Sequence, residues 1–190
     1  MKHVVSILML ILLVACGGSK QVQAPPPSDS VAEYLPVWWG QNDNNYYTGD
    51  AQSESKDRMF ALNKAKSSAI NDISQQMEVR NQSMMKQFKD ETGVGAESEI
   101  LATATEVIKQ TTSAVLRGLN VDKQELRKNP KTNVYTAYVK VTLPKAQIAN
   151  ELLKKMKAKE KLYTKFQASK AFKELEKEAD KFDEYKEKND

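Results

Sequence analysis

Histidine and cysteine are almost absent from these 190 residues: there is one of each, His3 and Cys16. Proline and glycine are scarce too, six and seven, and neither occurs after Pro144. Aromatic residues make up 7%, with both tryptophans adjacent at Trp38 and Trp39. The longest apolar run, Val4 to Ala15, is about a dozen residues, short of the roughly 18–20 that cross a bilayer as a helix. Charge of one sign is also lacking: 29 basic against 25 acidic residues give a net of +4. A dedicated nucleic-acid binder usually carries a one-sided basic surface, so no nucleic-acid partner is expected.

The apolar run follows a basic start, Met1-Lys2-His3, and ends in small residues, the pattern of a signal peptide over residues 1–15. Its end, Leu13-Val14-Ala15-Cys16, resembles the lipobox of bacterial lipoproteins. The resemblance implies cleavage before Cys16, diacylation of its sulfur and acylation of the new amine. Two or more chains at about 0.8 kcal/mol per buried CH₂ make a stable membrane anchor. The other reading is an ordinary secretory signal with an incidental cysteine, which would leave an odd free thiol in an exported protein. Gly17 stands where an Asp retains enterobacteria-like lipoproteins in the inner membrane, which implies the outer membrane, facing the periplasm.

Cleavage would leave no histidine and no free thiol, and a net charge of +3 once Lys2 is gone. Ser–His and Cys–His nucleophile pairs, and His- or Cys-ligated metal sites, are then impossible. No motif supports carboxylate-only catalysis, so no catalytic residue, metal or cofactor is expected. A calcium loop starting at Asp43 would need Gly at its sixth position, where Thr48 stands, and Gly93-Val94-Gly95 lacks the rest of a phosphate loop.

Residues 16–35, rich in Gly, Ser, Gln and Pro, read as a tether reaching at most about 70 Å. Residues 36–144 hold enough chain for one modest core. Tyr46 to Ala51 reads as a strand, with Gly49 allowing close backbone approach. A helix capped near Ser53–Ser55 should follow, its stripe running from Met59 and Leu62 through Ile73, Met77 and Met84 to Phe88. Ala61, Ala65 and Ala69 form a row that lets this helix sit close on a sheet. Glycine after Thr92 ends it, and a second helix over 96–117 completes a helical hairpin.

Leu119 to Arg127 and Val134 to Leu143 read as strands, the second alternating Tyr135, Ala137, Val139, Val141 and Leu143 with Thr136, Tyr138, Lys140 and Thr142. The order strand-helix-helix-strand-strand predicts an α+β fold, a small three-stranded sheet packed on a helical hairpin. Residues 145–190 should add one or two long Lys/Glu-rich amphipathic helices. Their stripe, from Ile148 to Tyr185, looks too long for a small sheet, which predicts contact with another subunit, although its period breaks between Phe166 and Phe172.

Trp38 and Trp39 can cover a core edge, anchor at a membrane interface or stack on sugar, and Tyr46 and Tyr47 would extend such a platform. The lipobox, Pro36-Val37-Trp38, Tyr46–Gly49, Ala61–Ala65, Gly118–Val121 and Tyr135–Val141 together resemble the LPP20-type lipoproteins over residues 36–143. The resemblance implies a structural or adhesive protein without catalytic residues, in a family that includes a flagellar outer-membrane disk. Two functions are expected. One is an outer-membrane lipoprotein that self-associates or scaffolds an envelope or flagellar assembly. The other is a periplasmic module that binds peptidoglycan or a small ligand through Trp38, Trp39, Tyr46 and Tyr47.

Overall fold

The computed structural model describes residues 35–95 and 98–189. The signal stretch, Cys16 and the tether up to residue 34 lie outside them. The described residues from Pro36 onward form one compact unit. The architecture is α+β, with three strands and five helices among the described residues.

Strand β1 (Tyr46–Ser55) pairs antiparallel with β3 (Tyr135–Pro144) over all ten residues, and β2 (Lys123–Lys128) pairs antiparallel with the other side of β3. The strand order is β1-β3-β2. Tyr47, Gly49, Ala51 and Ser53 lie opposite Leu143, Val141, Val139 and Ala137, and these residues form the buried face.

Helix α1 (Arg58–Thr92) lies on that face. Ala61, Ala65 and Ala69 are fully buried, and a Cβ on Gly49 would fall 2.0 Å from the Ala69 carbonyl oxygen. Only glycine against an alanine row permits so close an approach of helix to strand. The helix begins later than the Ser53–Ser55 cap expected from sequence. Those serines extend the ladder to Tyr135, so Asp57 becomes the cap and accepts from the Phe60 amide at 2.7 Å. Met59, expected on the buried stripe, is instead exposed, as is Phe60. Two residues from Ala61 is about 200° around a helix, so packing the alanine row inward turns Met59 outward.

Gly93, at φ 64°, closes α1 in the left-handed conformation. Helix α2 (Glu99–Arg117) is capped by Ser98, whose hydroxyl accepts from Leu101. Asn81 of α1 donates to Thr112 of α2 at 3.2 Å, which ties the hairpin together. Strand β2 starts at Lys123, four residues later than expected, because its partner positions on β3 run only from Lys140 to Tyr135.

The C-terminal run departs most from expectation. It forms three helices, α3 (Lys145–Lys157), α4 (Glu160–Phe166) and α5 (Lys170–Asn189), folded back on the core. Phe88 of α1 meets Phe166 edge to face at 5.1 Å, and Phe166 meets Phe172 at 5.6 Å. Ser169, fully buried, makes the last turn: its hydroxyl donates to Phe166 O and accepts from Phe172 N. The apolar stripe expected to seek another subunit is therefore largely covered within its own chain, with Ile148, Leu152, Met156, Phe166, Phe172, Leu175 and Ala179 all buried.

Candidate functional site

The sheet face turned away from α1 carries Tyr46, Thr48 and Asp50 from β1, Tyr138, Lys140 and Thr142 from β3, and Lys123, Glu125 and Arg127 from β2. The segment before β1 folds against this face. Its turn is closed by Trp39 N donating to Pro36 O at 2.9 Å, and Gly40 adopts φ 71°. Trp39 packs edge to face on Tyr138 at 5.7 Å, Trp38 lies 6.1 Å from Trp39, and the Arg127 guanidinium stacks 5.1 Å over Tyr138. The result is a continuous aromatic row bordered by cations.

Lys140 pins the row in place. It is buried to 3% exposure, yet its Nζ donates to Gln41 O at 2.6 Å, faces Asp50 Oδ1 at 3.5 Å and sits 6.0 Å from the Trp38 ring. Asp50 completes the clamp by accepting from Gly40 N through Oδ2 at 3.0 Å. A desolvated charge pair gains little over apolar packing, but loss of either member strands the other. Its use here is positional, since both charges also bind the backbone just after the Trp38-Trp39 turn, Asp50 at Gly40 N and Lys140 at Gln41 O.

Of the four residues expected to form one platform, the fold brings three to this face. Trp38 and Trp39 are half-buried neighbours, and Tyr46 lies beside Thr48 and Lys140 along a shallow pocket of about 330 Å³. Tyr47 does not join them. Adjacent residues in a strand point to opposite faces, so Tyr47 is buried on the α1 side. In its place stand Tyr138, Lys140 and Arg127. The alternation in β3 already put Tyr138 and Lys140 on the outer face, but nothing local linked them to the tryptophans a hundred residues earlier.

Fold and row together define a small α+β module with one aromatic, cation-bordered sheet face. The chain belongs to the LPP20 lipoprotein family, whose model matches residues 36–142, more than half of its length. It is accordingly a membrane-anchored envelope lipoprotein. No curated protein and no solved structure matched it.

Proposed function

We propose that this chain is a non-catalytic scaffold, held in the outer membrane by acylated Cys16 and facing the periplasm, that assembles with copies of itself within an envelope or flagellar structure. The observation that carries this reading is the state of the sheet edges. Among the described residues, β1 and β2 each have β3 as their only strand partner. An unpaired edge offers a row of amides and carbonyls to another strand unless charge, proline or a covering element blocks it. A side chain of α1 already occupies part of β1, Gln76 donating to Thr48 O at 2.7 Å. Asp50 to Ser55 remain, six residues against the six of β2.

The two edges differ in charge. Exposed Glu54 makes β1 acidic, Asp50 being held by Lys140, whereas Lys123, Arg127 and Lys128 outweigh Glu125 on β2. Both strands run antiparallel to β3, so β2 of one copy can join β1 of the next in parallel and extend the sheet. A head-to-tail junction of this kind repeats, giving a ring or a filament instead of a closed dimer. Sedimentation of the detergent-purified protein tests it. Species larger than dimers are expected, and Glu54→Lys should shift them to monomer. A strict monomer at concentrations of tens of micromolar, with no partner in pull-downs, would contradict the reading.

The Trp38–Trp39–Tyr138 row supports a second reading, a grip on peptidoglycan through aromatic stacking. Co-sedimentation with isolated cell wall separates the two. Binding lost in the Trp38→Ala/Trp39→Ala variant, with the oligomer intact, would assign the row to the wall.

A further inference from the structure

On the α1 side of the sheet, away from the aromatic row, a cleft of about 300 Å³ opens between α1, α3, α5 and the start of β1. Its floor is aliphatic: Met77, Met84, Ile148, Leu152 and Leu175. Its walls carry both signs of charge, Arg80 and Lys145 against Glu178, together with Tyr47. At roughly 30 Å³ per water the space equals about ten waters, the low end of the range for small-ligand pockets.

Tyr47 is the informative group. Its ring is largely buried and lines the cleft, while its hydroxyl reaches the cleft's solvent and has no hydrogen-bond partner among the described residues. Burial pushes the phenol pKa up, Arg80 pulls it down and Glu178 pushes it up, so opposite charges act on this hydroxyl together. At neutral pH it is a protonated donor. Lys145 is held in place by donating to Asn44 O at 2.7 Å, with its ammonium 5.4 Å over the Tyr47 ring. Arg80 is held only loosely, at 3.5 Å from Glu174, and both side chains are half exposed. Glu178 pairs with Lys181 at 3.1 Å.

We propose that this cleft binds a small aliphatic zwitterion of amino-acid or dipeptide size. The carboxylate of such a ligand meets Arg80 and the Tyr47 hydroxyl, its ammonium meets Glu178, and its side chain lies on the methionine and leucine floor. A plain fatty acid would leave Glu178 facing a carboxylate. A plain amine would leave Tyr47 and Arg80 without an acceptor. This inference does not depend on self-association, since no residue named for it lies on a sheet edge proposed for pairing.

Calorimetric titration of the detergent-purified full chain with L-leucine and L-alanyl-L-leucine provides the test. At least one should bind, and 4-methylpentanoate and 3-methylbutylamine, which each lack one charge, should bind about ten-fold more weakly or worse. Tyr47→Phe keeps the ring and should weaken the zwitterion several-fold while leaving 3-methylbutylamine unchanged. Glu178→Gln should weaken the zwitterion and leave 4-methylpentanoate unchanged or improved. No binding of either zwitterion up to about 10 mM, a free energy under roughly 3 kcal/mol, would overturn the proposal. Equal binding of the one-charge analogues by the unmodified protein would overturn it as well, whatever the variants do.

Discussion

Gly49→Ala should be the most damaging single methyl group that can be added to this fold. The new Cβ would lie 2.0 Å from Ala69 O, 2.8 Å from its carbonyl carbon and 3.1 Å from its Cα. All three are backbone atoms, so no side chain can swing aside. Carbon–oxygen contacts settle near 3.3–3.6 Å, so α1 would have to lift by about 1.3 Å or more. That lift also loosens Ala61, Ala65 and Ala69 where they touch the sheet. Overpacking typically costs about 1–3 kcal/mol, and backbone against backbone belongs at or above the upper end, about 3 kcal/mol. For a chain of this size each kcal/mol lowers Tm by roughly 2–4 °C, so a fall of about 6–12 °C is expected. Thermal and urea melts followed by circular dichroism would measure it. Gly95→Ala is the control, since its Cβ meets nothing within 4 Å and its φ is not positive. If Gly49→Ala melted within about 1 °C of that control, the close approach of helix and strand would be refuted.

Lys140→Met should destabilise by about 3 kcal/mol, because Asp50 is left desolvated and the Gln41 carbonyl loses its donor. Tryptophan emission should shift to the red as the Trp38-Trp39 turn loosens, and adding Asp50→Asn should recover much of the loss in urea melts. Ser169→Ala removes the buried cap that starts α5, and urea melts should show a cost of about 1 kcal/mol. Burial raises the Tyr47 pKa above the ordinary 10.0, so the unfolded chain gives up this proton first. That contribution to stability is complete below about pH 10 and is lost as pH rises through the folded-state value. Urea midpoints from pH 9 to 11 should therefore fall less steeply in Tyr47→Phe.

The close-packed half of the fold was legible from sequence because its signals are local. An alanine every fourth residue and a glycine in a short strand report one helix–strand contact, and the period-two pattern of β3 reports which face is buried. The C-terminal half was not legible in the same way. An amphipathic stripe says that a face must be covered and does not say by what. No glycine or proline marks the turns at Ala158–Lys159 and Gln167–Ser169. The break in period between Phe166 and Phe172 was the one trace of the second turn. What closes that turn is Phe88, 78 residues before Phe166, which no local pattern can report. The aromatic site shows the same division. Adjacency in a strand already forbade Tyr46 and Tyr47 from sharing a face, a local signal that the expected platform overlooked, whereas Tyr138 joins Trp39 only through the register of β1 on β3.

The claim on which the scaffold reading rests is that β1 of one copy meets β2 of the next. Cysteines placed on the shared outer face, Gln52→Cys with either Lys123→Cys or Arg127→Cys, would report it by oxidative cross-linking in intact cells. A ladder of dimers, trimers and larger species on non-reducing gels is expected from at least one pair, with Thr105→Cys on exposed α2 as the control. Monomer alone from both pairs, or a ladder no stronger than the control gives, would contradict the account.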